Sequence, residues 1–373
     1  MHTSPTGSPS LGLHFQLPAH PSTPHQQRFR DTIEQAVVGE ALGFESVWPV
    51  EQHFDADVSL LSSPLLLLAA IAERTQQLRL GTAILLAPLH HPLRLASDVA
   101  TLDVLSGGRV ECGLGRGMDP AHFARFGLLR QDGHAELDTT IAALRRAWTD
   151  EHDSVHPRPI QQPHPPIRVA ANSIDTFRHA GRAGLPILVA THVNPPRQLA
   201  ELISVYRDEQ AAAGHLPHGD DVSVLTPIFV HPDRARLRQL VEPGVRRIAA
   251  ALRRKLDATA AAVPAGPAGE ASRTMITQIR ARVADLSVDT MVDRRMAVFH
   301  TPAGAADELR ALAADLGTAR IICWFNPGGL IPHRDVLRAM ERVSMQGLAM
   351  HHWADTRPAA GSASGWGTPP SRR

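Results

Sequence analysis

Three short stretches of this sequence carry residue types that do chemistry, and each follows an apolar run. Gly115-Arg116-Gly117 sets a guanidinium between two glycines directly after the run Arg109–Leu114. Arginine presents a planar fork of donors that grips an oxyanion such as a phosphate at two points. The plainer use of such a residue is an ion pair with a neighbouring carboxylate. Asn172-Ser173 follows the run Ile167–Ala171 and opens a helical pattern. The free N–H groups and dipole at a helix start favour an anion, and an ordinary cap at Ser173 is compatible with that use. Glu51-Gln52-His53 follows Glu45–Val50. Imidazole titrates near neutrality, so His53 is a candidate proton donor or acceptor, or else it orients Glu51 or caps a loop. His90, His91 and His192 are further candidates in a chain with 21 histidines.

The elements that must position these residues alternate along the chain. Leu11–Leu17 reads as a first strand, with leucines and Phe15 against Gly12, His14 and Gln16. A helix over Gln26–Leu42 and a strand over Glu45–Val50 follow. Ser63-Pro64 is a helix start, a serine cap with proline at the first position. The helix it opens, LLLLAAIAERT, is apolar nearly all round, so its outer side needs cover and points to a subunit interface. Leu78–Leu86 is a near-continuous apolar run, the pattern of a parallel strand covered on both faces. A helix carrying Leu95, Val99 and Leu102 ends at Gly107-Gly108, and Arg109–Leu114 is the fourth strand. Strands over Ile167–Ala171, Leu185–Ala190, Val222–Val230 and Ala319–Phe325 complete eight, each followed by a helix. Eight such units make a (β/α)8 TIM barrel with insertions after strands four and seven; a doubly wound sheet is the alternative. In a barrel the C-terminal ends of the strands form the active-site face, which is where all three stretches fall. The expected domain runs over 11–353, after a flexible N-terminus at 1–10 and before a disordered tail at 354–373. Within it, Arg253–Met291 contains ATAAAVPAGPAGEAS, which cannot form a core and reads as an insertion or mobile lid.

Composition narrows the function. At 373 residues and 43% hydrophobic content the chain can bury a full core, and its net charge of +1 gives no electrostatic footprint for nucleic acid. With 4% aromatic residues, a base-stacking surface is also excluded. Cys112 and Cys323 both sit in apolar strands and read as small core residues of a reducing compartment. The start MHTSPTGSPS has no cationic, apolar leader pattern and no window reaches membrane-span length, so a cytoplasmic protein with no membrane contact is expected. There is no HExxH and no cysteine pair at zinc spacing, so no metal is expected.

The strings GFESVWPVEQHF, LRLGTAILLAPLHHPLRLASDVATLDVLSGGRVECGLGRG, QQPHPPIRVAANS and CWFNPGGLIP fall in the order found in the bacterial luciferase-like flavin-dependent monooxygenases. The sequence resembles that family over most of its length. The resemblance implies a TIM barrel that takes reduced flavin mononucleotide (FMNH2) and O2. It also implies a separate flavin reductase, oxidation of a small organic substrate through a peroxide adduct at flavin C4a, and a homodimer formed by the second and third barrel helices. It places the flavin phosphate on Arg116, Asn172 and Ser173, and a cis peptide along the flavin ring at Ala83-Ile84. Where luciferases carry Glu-His-His after the second strand, this chain has Glu51-Gln52-His53, so the luciferase role of the first histidine does not transfer. Glu51, Gln52 and His53 border the reacting face. The alternatives are an F420-dependent hydride-transfer enzyme of the same superfamily, and a flavin-binding protein without catalysis. Neither the substrate nor light emission is specified.

Overall fold

The computed structural model describes residues 8–117, 120–128, 133–150, 155–217, 219–262, 277, 280 and 285–345. The strands are β1 (Ser10–Phe15), β2 (Ser46–Pro49), β3 (Arg79–Gly81), β4 (Leu85–Leu86), β5 (Val110–Gly115), β6 (Ile167–Ala170), β7 (Ile187–Ala190), β8 (Val222–Val230), β9 (Val298–His300) and β10 (Arg320–Trp324). All pairings between them are parallel, in the order β10-β1-β2-β3-β5-β6-β7-β8, and β8 pairs with β10 to close the ring. This is the expected TIM barrel. Its helices are α1 (His25–Ala41), α2 (Pro64–Ala72), α3 (Pro92–Ser106), α4 (Pro120–Arg125), α5 (Gly133–Thr149), α6 (Ile174–Arg182), α7 (Pro196–Ala212), α8 (Arg234–Ala262), α9 (Val288–Asp293), α10 (Pro302–Leu316) and α11 (His333–Val343).

The alternation read in the strands sorts their side chains between two cores. Leu11 and Leu13, Val110 and Cys112, and Ile321 and Cys323 pack outward against the helices. The residues between them point into the lumen, so both faces of each strand are buried. Both cysteines are free buried thiols, and burial pushes Cys112 up to about 12. Inside, the lumen is layered. At the N-terminal end, Glu111 accepts hydrogen bonds from Arg79 Nε (2.5 Å), Arg168 Nε (2.9 Å) and Arg320 Nη1 (2.7 Å). Asp220 also takes Arg168 and Arg320. Above this charged floor lies Trp48, fully buried, with Arg320 over its ring at 5.5 Å. Room for the indole comes from Gly81, where even a methyl group would overlap the ring. Gly81→Ala is therefore expected to cost about 1–3 kcal/mol by overpacking, read as a lower urea midpoint; an unchanged midpoint would mean that Trp48 moves aside freely.

One expectation is corrected. The run Leu78–Leu86 is not one strand: it forms β3 and β4, separated by a local break. There Thr82 Oγ1 accepts from Gly113 N–H (2.9 Å) and donates to Gly113 O (2.8 Å), so a side chain replaces the backbone ladder. The run Val222–Val230 is one strand, as expected, and changes partner along its length. Ser223–Pro227 pair with β10, and Ile228–Val230 with β9, a three-residue strand too short to be read from sequence. Pro227, which has no N–H to give a ladder, stands at the changeover. Within the stretch expected as an insertion or lid, residues 253–262 belong to α8 and 288–291 to α9. Apart from residues 277, 280 and 285–287, the remainder of the expected lid lies outside the described residues. At the N-terminal end Ser10, just ahead of the expected first strand, pairs with Arg320. The expected tail at 354–373 lies outside the described residues. No helix among the described residues is long and apolar enough to cross a membrane.

Candidate active site

The C-terminal rim of the barrel gathers the three stretches named above. Leu114 on β5 pairs with Val169 on β6, so Arg116 and Asn172 leave neighbouring strands at the same end. Arg116 and Asn172 are partly buried, while Ser173 is exposed. Ser173 is the N-cap of α6, its N–H donating to Thr176 Oγ1 (3.1 Å) and its hydroxyl meeting the same oxygen at 2.7 Å. The backbone at Asn172 is fixed by Asn194 Nδ2, which donates to its carbonyl (3.0 Å). Arg116 and the capped start of α6 thus follow neighbouring strands at one end of the barrel, residue types that suit a phosphate.

Next to it, the break between β3 and β4 presents Ala83 and Ile84, joined by a cis peptide. Ala83 N–H donates to Pro49 O (2.9 Å) and Ile84 O accepts from Glu51 N–H (3.2 Å), so β2 and its outgoing loop hold this backbone in place. Ile84 fills the space that the missing side chain of Gly115 leaves.

Glu51 is the hub of the rim. Its carboxylate, 3% exposed, accepts from Leu86 N–H (2.7 Å) and meets His53 Nε2 (2.8 Å) and His90 Nε2 (2.9 Å). Burial pushes the Glu51 carboxyl up, but the hydrogen bonds to His53 and His90, the charge of His90 and the Leu86 N–H outweigh it and hold it below its ordinary value. The group is therefore a carboxylate at neutral pH, orienting two imidazoles. Gln52 is buried and donates back to the carbonyl of His53 (3.1 Å).

Over residues 12–320 the sequence matches the family described as luciferase-like monooxygenase. The chain belongs to that family. Luciferase-like monooxygenases are oxidoreductases, and similar proteins carry the same imprint. The oxygenase component of flavin-dependent trigonelline monooxygenase from Acinetobacter baylyi is 28% identical over 48% of this chain and 53% of its own. The alkanal monooxygenase alpha chain of Photorhabdus laumondii is 27% identical over 60% of this chain and 65% of its own. This chain thus spans about half to two thirds of these curated relatives. Among solved structures, monooxygenase RslO1 from Streptomyces bottropensis superposes with a TM-score of 0.73 at 26% identity, covering 90% of this chain and 98% of that one. The coenzyme F420-dependent tetrahydromethanopterin reductase of Methanopyrus kandleri shares the fold, with a TM-score of 0.61 at 19% identity over 91% and 98%.

The rim also brings together His192, a candidate read from the sequence, with His14 and Trp324, which the sequence did not single out. His14 on β1 and Trp324 on β10 turn inward, and His192, just beyond β7, joins them. Trp324 meets His14 edge-on with centroids 5.6 Å apart and His192 at 5.3 Å. Burial, then the charge of His192, pull His14 down to about 3 against a Trp48 backbone hydrogen bond, and burial pulls His192 down to about 4. Both rings are neutral at physiological pH. The sequence signal for His14 was its place on the polar side of β1, which the other histidines obscured. Over His53 lie Phe54, in the left-handed region at φ 60°, and Phe126, with ring centroids 5.8 and 5.1 Å away. Arg125 sits 4.8 Å above the Phe54 ring. Outside the barrel, Asp31, Glu34 and His333 bring one ligand atom each within 4.8 Å of one another, a cluster that no spacing in the sequence announced. Asp31 already accepts from Gln27 (2.7 Å), and these residues lie on the helical face of the sheet rather than in the lumen.

Proposed function

We propose that this chain is the oxygenase of a two-component monooxygenase, receiving FMNH2 from a separate flavin reductase and using O2 to oxidise a small organic substrate. The observation that supports the reading is that Arg116, Asn172 and Ser173 and the Glu51–His53–His90 cluster follow the strands at one rim of a barrel of this family. The residues suit the cofactor at both ends. Arg116 and the first turn of α6, with Asn172 and Ser173, would take the phosphate, and the Ala83-Ile84 backbone would lie along the ring. Bound FMNH2 supplies the electrons that activate dioxygen. Glu51 holds His53 and His90 in fixed orientations at the reacting face, so that a proton can be given or taken without reorganisation. Gln52, turned back to its own loop, borders that face without a proton to offer. The apolar walls exclude water, which would otherwise divert the reactive flavin.

The test mixes the protein with FMNH2 and measures O2 uptake and product. Oxygen-dependent product supports the reading. Oxygen-independent reduction with F420H2 as the hydride donor, in place of FMNH2, would transfer the site to deazaflavin chemistry. Arg116→Ala is expected to weaken FMNH2 binding at least about tenfold, the worth of one charge-assisted hydrogen bond; an unchanged dissociation constant removes Arg116 from the site. The homodimer belongs to the same proposal. On α2, Leu67, Leu68 and Ile71 are buried while Leu66 is 73% exposed, and Leu93 and Leu105 stand out from α3. A second copy would cover these side chains. Leu66→Asp is expected to shift the protein to monomer in analytical ultracentrifugation, and a dimer unaffected by it would place the interface elsewhere.

A further inference from the structure

Away from the lumen, α1 and α11 bring three metal-ligating side chains to one spot. Asp31, Glu34 and His333 each offer one ligand atom, and these atoms lie within 4.8 Å of one another. His333 Nε2 is shielded from solvent and has no hydrogen-bond partner, although Glu34 Oε2 stands only 3.2 Å away. The separation suits a hydrogen bond; the alignment does not. Two ligands of one tetrahedral zinc ion, each about 2.0–2.1 Å from the metal, lie about 3.3–3.4 Å apart. A nitrogen and an oxygen at contact distance that miss each other's hydrogen-bond directions therefore have the spacing of a coordination edge. Asp31 is 7% exposed, and Gln27 Nε2 donates to its Oδ1 from the same helix (2.7 Å), which leaves the carboxylate acceptor capacity to spare. Behind the imidazole, the Gln35 amide lies 3.0 Å from Nδ1. A half-turn of that amide presents Oε1, which accepts from Nδ1–H and leaves the Nε2 lone pair for a metal. Outer-shell partners of ligating histidines work in this way.

We propose that Asp31, Glu34 and His333 form a site for a divalent transition-metal ion, zinc(II) being the ion their chemistry suits. One imidazole and two carboxylates are a mixed nitrogen and oxygen set of the kind zinc takes, whereas magnesium and calcium prefer oxygen alone. Three protein ligands leave one tetrahedral position. The Glu34 side chain is 58% exposed, so water reaches the site and can complete the set. The role follows from the topology. α1 leaves β1 and α11 leaves β10, the two strands whose pairing joins the first barrel unit to the last. A metal held between these helices ties the same two units together on the outside of the barrel. The site is separate from the flavin reading and does not depend on it.

The test is calorimetric titration of the full-length protein, stripped with a chelator, with zinc chloride. One saturable equivalent of micromolar or tighter affinity is expected. Glu34→Ala and His333→Ala should each weaken it at least about a hundredfold, and Gln35→Ala about tenfold, the loss typical of an outer-shell partner. Glu34 is exposed, so its replacement leaves the core untouched and the variant folds. Cobalt(II) chloride serves as an optical probe, and its tetrahedral d–d bands should form in the wild-type protein and be missing in Glu34→Ala. Zinc should also raise the melting temperature of the wild type and not that of Glu34→Ala, since only a ligand bound to the folded state stabilises it. A plain ion pair between Glu34 and His333 predicts no response to zinc in either protein, and that result would overturn the proposal. So would a zinc equivalent that both alanine variants keep, which would assign it to others among the 21 histidines. Equal affinity for calcium chloride would overturn it as well, because it would leave no part for the imidazole.

Discussion

Replacing Glu111 with alanine is expected to lower stability by about 3–5 kcal/mol, because it leaves Arg168 and Arg320, both largely shielded, and the partly exposed Arg79 without the carboxylate they share. Glu111 is 1% exposed and is held by Arg79, Arg168 and Arg320 at the closed end of the lumen. Burial alone would push its carboxyl up, but the three guanidinium groups hold it far below the ordinary range. A carboxyl whose folded value is depressed adds stability above its unfolded value and gives it up as pH falls through the folded one. The gap between wild type and variant should therefore be full at neutral pH and close only in strong acid. Urea unfolding at two pH values reads both features, provided the slope is unchanged. A loss under about 1 kcal/mol would put the network in the class of solvated surface pairs. Glu111→Gln, which keeps the volume, separates charge from packing.

The second large effect belongs to Glu51→Gln. Three groups converge on the carboxylate: Leu86 N–H, His53 and His90. An amide has one acceptor oxygen and two hydrogens of its own, so at least one of the three is left facing a donor. The expected cost in stability is about 1–3 kcal/mol, and the expected loss of oxygenation is about a hundredfold, the low end for misplaced proton-transfer groups. Glu51 acts through the histidines, so Glu51→Gln and His53→Ala together should cost far less than the product of their separate effects. Multiplicative losses would show that the two residues do not work as one unit. Because the Glu51 carboxyl lies below its ordinary value, its charge persists down through the usual carboxylate range and fails only in stronger acid. No acid limb from this residue is expected near the ordinary glutamate value.

Much of this was legible in the sequence because a parallel barrel repeats one local rule. Each strand is an apolar run, many helices open at or next to a proline, and polar residues collect at one end. That rule placed Arg116, Asn172, Glu51 and His53 at the rim before any coordinates. It failed where a side chain stands in for the main chain, as at Thr82, since nothing in Leu78–Leu86 marks a hydroxyl that replaces a ladder bond. The strand Val298–His300 was missed because three residues show no period. Glu111 reads as the polar side of an alternating strand, and its three arginines come from other strands far apart in the chain. His14 needed Trp324 beside it to acquire meaning, and 310 positions separate the two.

The Trp48 indole, wedged between the arginine floor and the open end, acts as a bulkhead. An engineer randomising positions 14, 188, 192, 225 and 324 to accept a new molecule would be working above it, on a deck that does not carry the hull. Catalytic repertoire and thermal tolerance would then be adjustable one at a time, each on its own side of a single aromatic ring.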